Sequence, residues 1–182
     1  MNLFKKSAVK SVEAVLGELG LNREAIQLGF GGRKGPAAAA KALKSEPGAI
    51  VQVKVYLIGE QPVLVLFGGG AECRPESLPR VFNLEGPVKA CDREETLAAT
   101  GFEPGAVPPL PRALTLNLPV AIDAGLKRFA TLYAPAGHAH WVFAVSPDEL
   151  KRLTQGVVSY NITAKPDWQG QIDRAGWRSL QT

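Results

Sequence analysis

The chain is short of cysteine. Cys73 and Cys91 are its two, they form no C-x-x-C spacing, and they give no disulfide framework of the secreted kind. Both are read as reduced thiols, with an exposed reactive cysteine as the other reading. It also lacks a long apolar run: nothing approaches the roughly twenty residues of a membrane span, and Met1 to Lys10 has no apolar signal core. A cytoplasmic protein is expected. No G-x-S-x-G elbow, phosphate-binding Walker loop or dinucleotide fingerprint occurs, which argues against a serine hydrolase of the elbow type and against nucleotide-binding enzymes. Histidine occurs only at 138 and 140, with no third ligand at a recognisable spacing, so no metal and no cofactor is expected. No internal repeat is visible.

What is present is an ordinary folding composition. In 182 residues, 46% are hydrophobic and mean hydropathy is +0.00, enough for one sizeable core. The net charge of +4 is uneven. Residues 1–54 carry nine Lys/Arg against four Glu, while the remainder carries twelve basic and thirteen acidic side chains. A basic N-terminal third suits an anionic partner such as RNA, although no Arg/Lys-rich run or aromatic-interleaved motif accompanies it.

Periodicity places the elements. Phe4, Ala8, Val12, Val15, Leu16 and Leu19 recur at helical spacing up to Gly20. Ile26 to Phe30 alternates as a short strand, and Pro36 opens an alanine-rich helix that stops by Pro47-Gly48. From Ile50 to Ile58, Val51, Val53, Val55 and Leu57 form one strand face, and the other carries Gln52 and Lys54 side by side. A hairpin at Gly59-Glu60-Gln61 leads into PVLVLF (62–67), a strand buried on both faces. Residues 75–81 form a short helix or turn, and 86–90 a short strand. Asp92 with Glu95 starts a helix that closes near Gly101. Strands follow at 119–122, 129–133 and 141–145; Ser146-Pro147-Asp148-Glu149 opens a helix ended by Gly156, and 157–162 adds a last strand. Two units are expected: residues 1–162, and a polar tail or strap, 163–182, whose large apolar groups are Trp168 and Trp177.

Chemistry concentrates at two places. Gly101, Pro104, Gly105, Pro108, Pro109 and Pro111 fall within eleven residues, a rigid loop that offers backbone rather than side chains. Past a bend at Pro135-Ala136-Gly137, a strand end presents His138 and His140; His138 either caps the turn or meets a substrate. The Gly31-Gly32-Arg33-Lys34-Gly35 segment is either a phosphate-receiving loop or a mobile turn. Asp92 reads as a helix cap, and Asp123 as a turn residue rather than a general base.

In order along the chain, QVKVYLIGEQPVLVLF, CDREETLAATGFEPGAVPP, LPVAID, AGHAHWVF and SPDELKRLTQG resemble the YbaK/ProX family, the free-standing relatives of the editing domain of bacterial prolyl-tRNA synthetases. The likeness covers about residues 4–162. It implies an α+β domain with a strongly curved mixed sheet or barrel of about six to seven strands surrounded by helices. It implies hydrolysis of the ester between a mischarged amino acid and the tRNA 3′ end, with aminoacylated tRNA and not DNA as partner. The implied catalytic set is Lys54, Gly105, Ala106, Gly137 and His138, and the implied substrate contacts are Gln52, Gly101, Phe102, Val107, Pro108, Arg33 and Lys34.

The sequence departs from the family at several of these positions. Gln52 stands where the family carries its strand lysine, and Lys54 lies two residues later on the same strand face. Ala106 replaces the second glycine of a Gly-Gly pair, Pro111-Arg112 stands at a common Gly-His pair, and the Ser/Thr before the Ala-rich helix is absent. Lys54 is therefore either a pocket cation or an exposed strand lysine. The competing functions are a deacylase, a family member that binds an aminoacylated RNA end or amino-acid-like ligand without turnover, and a protein-interaction module using the tail.

Overall fold

In the computed structural model, which describes residues 5–29 and 35–164, the first apolar stripe forms helix α1 (Ser7–Glu18) and buries Val9, Val12 and Leu16. Strand β1 (Ile26–Gln27) follows, and Pro36 occupies the first turn of α2 (Pro36–Ala42), where its missing N–H costs nothing. The alternating segment becomes β2 (Val51–Ile58), turned by Gly59-Glu60 into β3 (Gln61–Gly68) with Ile58 opposite Gln61. A 3-10 turn at Pro75–Ser77 precedes α3 (Leu78–Phe82), followed by β4 (Val88–Ala90).

Helix α4 (Arg93–Thr100) starts at a complete capping box. Asp92 accepts the Glu95 N–H, Glu95 accepts the Asp92 N–H, and Gly101 closes the helix at φ +82°. After it come β5 (Val120–Asp123), a 3-10 segment Ala124–Arg128, β6 (Leu132–Pro135) and β7 (Trp141–Val145). A second capping box, Ser146 with Glu149, opens α5 (Pro147–Thr154), and β8 (Val157–Ser159) is the last strand. Several boundaries differ from expectation: β1 ends at Gln27 rather than Phe30, and β8 at Ser159 rather than Ile162. The 3-10 segment runs on to Arg128 and pushes β6 later, the turn before β7 spans 136–140, and Gln155 rather than Gly156 takes the left-handed position at φ 52° that ends α5.

The described residues hold eight strands, arranged as a mixed five-stranded sheet, β4-β2-β3-β5-β8, and an antiparallel three-stranded sheet, β1-β7-β6. The expected α+β class is observed, with two sheets rather than one closed barrel. They meet at a single bridge between Ile50 and Tyr133. β3 is central. Its Leu64 and Leu66 enter one core with Val51, Val53, Val55, α1, α5 and the three-stranded sheet, whereas Val63, Val65 and Phe67 enter a second core with Tyr56, Ile58 and Leu78. Both faces are thereby covered, which is why PVLVLF reads as a continuous apolar run.

The same parity splits β2. Val51, Val53 and Val55 are core and Leu57 is half-buried, but the even face is apolar only at Tyr56 and Ile58; half-buried Gln52 and exposed Lys54 continue that face at the other end of the strand. A third, smaller cluster joins α2 to Ile50 and Val142. Thr163 bridges Cys73 and the Ala164 N–H donates to the Glu72 carbonyl, so the start of the expected tail is paired with the loop after β3; Trp168 and Trp177 lie outside the described residues. No helix among the described residues is long and apolar enough to cross a membrane.

Candidate active site

β2 has one closed edge and one partly open edge. β3 pairs with it from Val51 to Ile58, but on the other side β4 covers only Tyr56 to Ile58 and Tyr133 bridges Ile50. Between those contacts the Val55 carbonyl accepts the Cys91 N–H at 3.0 Å, and among the described residues no strand pairs with residues 51–54 on this side. Backbone groups on such an edge need water or a ligand. A cavity of about 490 Å3 opens along it, within the range of small-molecule sites.

Three sets of residues wall this cavity. Val51 to Val55 form the floor, with Gln52 and Lys54 as its polar members. Leu28, Ile50, Tyr133, Pro135, Trp141 and Val142, with Pro36 and Ala39 of α2, form an apolar flank. Opposite stand Pro104 and Gly105 of the Gly/Pro loop, with Ala90, Cys91 and Thr96 where β4 passes into α4. Among the described residues of this lining Lys54 is the only charged one, and its cation favours a neutral or anionic ligand. Its ammonium lies 5.6 Å from the Phe67 ring centroid, a cation–π contact worth about 0.5–1 kcal/mol at an exposed site. So weak a hold leaves the long side chain free to reach the cavity it borders.

Gly105 has φ +84° and open space where a Cβ would stand, and it presents backbone to the cavity. Ala106 is buried, its N–H donates to the Glu103 carbonyl at 2.9 Å, and its carbonyl accepts the Gly137 N–H at 3.1 Å. Its backbone groups are therefore occupied in bracing the loop. Gly137, at φ +90°, is buried against Ala8, Val12 and Phe102. Gly101 is the cap of α4, Phe102 packs on the first core, and Val107 and Pro108 are buried. These positions hold the loop from behind, with Gly105 and Pro104 facing the cavity.

The two histidines sit in the turn, not at a strand end. The His140 N–H points to His138 Nδ1 at 3.4 Å, the rings stand edge to face at 5.2 Å, and the His138 carbonyl accepts the Trp141 N–H. His138 is half-buried and outside the cavity lining, where the intervening Ala139 is found. The described residues contain no cluster of ligand types able to hold a metal. Arg33 and Lys34 lie outside the described residues.

Cavity residues that pattern reading passed over are Cys91, Thr96, Tyr133 and Trp141. One signal was available. Because the capping box fixes where α4 begins, Thr96, Ala99 and Thr100 fall at i, i+3 and i+4 on its buried face. Burial and the Glu95 carboxylate push the Cys91 thiol up, and burial raises the Asp123 carboxyl despite its hydrogen bonds from Thr163 and Gly125. Asp123 is a turn residue at the end of β5 and is not part of the cavity lining.

Comparison with known proteins bears on this arrangement. The family model described as "Aminoacyl-tRNA editing domain" matches residues 32–153, from the segment before α2 to the last turn of α5. No curated protein matches the chain. Among solved structures, a proposed trans-editing enzyme for prolyl tRNA synthetase superposes with a TM-score of 0.81 at 25% identity, over 88% of this chain and 99% of that one. A scaffold protein from computational epitope-backbone grafting gives 0.81 at 26% identity, over 88% and 100%. A hypothetical protein at 24% identity, with a TM-score of 0.75 over 85% and 99%, shares the fold.

Proposed function

This chain belongs to the aminoacyl-tRNA editing domain family, and from that premise we propose that it acts in trans to hydrolyse the ester joining a mischarged amino acid to the 3′ end of tRNA. The observation that carries the reading is convergence: Lys54, Gln52 and the Gly105 backbone border one apolar cavity beside an open strand edge. An aminoacyl ester needs little chemical help. Water adds to its carbonyl carbon, the carbon–oxygen bond to the ribose breaks, and the ribose oxygen leaves with a proton. The protein has to hold the ester, exclude competing geometries and stabilise the oxyanion.

In this reading the apolar flank takes the terminal nucleoside, while the Gly105 N–H and the Lys54 ammonium face the developing negative charge. Gln52 orients the ester or the attacking water. No side-chain nucleophile is required, in keeping with the described lining residues, which include no histidine or carboxylate. Gly137 and Ala106 act at one remove, through the hydrogen bond that fixes the loop.

The test is release of free amino acid from a panel of mischarged tRNAs. Folded wild-type protein is expected to release at least one, and Lys54→Met to lose about tenfold or more in kcat/KM, the scale of one electrostatic contact to a transition state. Absence of release across the panel overturns hydrolysis. A second reading, binding without turnover, is favoured by neutral Gln52 at the family's lysine position; it requires saturable binding of aminoacylated tRNA with no release.

A further inference from the structure

Four polar or charged side chains are buried among the described residues: Thr96, Thr100, Asp123 and Thr154. Three have partners. The Thr100 hydroxyl donates to the Thr96 carbonyl at 2.7 Å and accepts the Phe102 N–H, the Thr154 hydroxyl donates to the Leu150 carbonyl at 2.9 Å, and Asp123 accepts from Thr163 at 3.3 Å. Thr96 is different. It is 5% exposed, one turn before Thr100 on the same helix, and its hydroxyl makes no hydrogen bond to any described residue, while the residue itself lines the cavity.

A threonine in a helix ordinarily satisfies its hydroxyl on the carbonyl four residues back, as Thr100 and Thr154 do here. The Asp92 carbonyl, four residues before Thr96, accepts only the Thr96 N–H, at 2.9 Å. The hydroxyl thus stays at the cavity surface with one donor and two acceptor positions unused. The lining it shares includes the aliphatic Val53 and Val55, the small Ala90, and Cys91, whose thiol is pushed up by burial and by Glu95. Val53, Val55 and Ala90 offer no side-chain hydrogen bond, so on this apolar part of the lining the Thr96 hydroxyl is a polar group without a described side-chain partner. A buried hydroxyl of this kind discriminates. When the ligand supplies a partner the pair is satisfied, and when it supplies a methyl the hydroxyl is left dry.

We propose that Thr96 is a specificity-determining residue: its hydroxyl pairs with a hydroxyl on the short side chain of the acyl group, so that seryl and threonyl esters are preferred over alanyl and valyl ones. This deepens the hydrolytic reading above and rests on it for the identity of the ligand. The terminal ribose also carries hydroxyls, and the test below separates a contact to the ribose from one to the acyl side chain.

The test uses the full chain and measures kcat/KM on seryl- against alanyl-tRNA and threonyl- against valyl-tRNA, for wild type, Thr96→Val and Thr96→Ser. Because each ratio is taken within one protein sample, the amount of folded protein cancels. The wild type is expected to prefer the hydroxylated member of each pair by about tenfold or more, Thr96→Val to abolish the preference and Thr96→Ser to retain it. Equal rates in the wild type, or a preference unchanged in Thr96→Val, overturn the assignment. A loss in Thr96→Val that is the same for every acyl group, and that disappears on tRNA ending in 2′-deoxyadenosine, also overturns it by assigning the contact to the ribose. If no ester is released, hydrolysis fails, and Thr96 is still decided by equilibrium binding of non-hydrolysable 3′-seryl- and 3′-alanyl-amino-3′-deoxyadenosine. A wild-type preference for the seryl amide that Thr96→Val removes supports it, and equal affinities refute it.

Discussion

Asp123 shows how a residue legible as a turn former acquires a further property from its surroundings. At the end of β5 it is 7% exposed, accepting the Thr163 hydroxyl, and burial holds its carboxyl above the ordinary carboxylate value. With the folded pKa raised, the native state binds more protons than the unfolded chain between the two values. Stability therefore falls as pH climbs through that window. Asp123→Asn keeps an acceptor for Thr163 and removes the titration. Subtracting the variant's urea-unfolding free energies from the wild type's, from pH 4 to pH 7, should give a difference that declines with pH; parallel profiles would refute the linkage. The subtraction is needed because Glu95, held below the usual carboxylate range by the Lys89 ammonium and then by the Asp92 N–H, and Glu149, held down by Ser146 and Arg23, act with the opposite sign.

At the scale of elements, the loop and the turn work as one unit. The Gly137 N–H donates to the Ala106 carbonyl, and a Cβ on Gly137 would stand 3.1 Å from both the Ala8 carbonyl and a Val12 methyl, at a φ of +90°. Gly137→Ala therefore meets both backbone strain and a helix that cannot retreat, at a cost of about 1–3 kcal/mol. Chemical denaturation measures that cost. Because the same substitution pushes on the strut behind Gly105, it is expected to lower kcat for hydrolysis by more than it raises KM; a stability loss with unchanged kcat would show the loop to be braced elsewhere. Both capping boxes were readable from sequence, since Asp92 with Glu95 and Ser146 with Glu149 need only local spacing. The extent of β6 was not, because the 3-10 segment before it depends on what Leu126 packs against in the first core.

For the molecule as a whole, the basic surplus in residues 1–54 belongs to the same third of the chain as α1, α2 and the cavity floor. If that third meets tRNA phosphates, affinity falls with salt by counterion release. Three contacts would weaken binding roughly 40-fold between 50 and 200 mM salt. Filter binding or fluorescence titration across that range checks it, and a flat dependence would leave the charge as ordinary surface solvation. The sequence by itself determined the elements and their caps, the doubly buried β3, the Gly/Pro loop and the pairing of Gln52 with Lys54 on one strand face. Each follows from local spacing, or from a period of two or 3.6 residues. Only the tertiary structure decided that β2 keeps an open edge, that Lys54 rests against Phe67 while bordering the cavity, and that Ala106 braces the loop instead of facing a ligand. It also decided that the Thr96 hydroxyl has no hydrogen-bond partner among the described residues. Those are relations between segments distant along the chain, fixed by which faces the two sheets and helices bury against one another, and no local pattern encodes them.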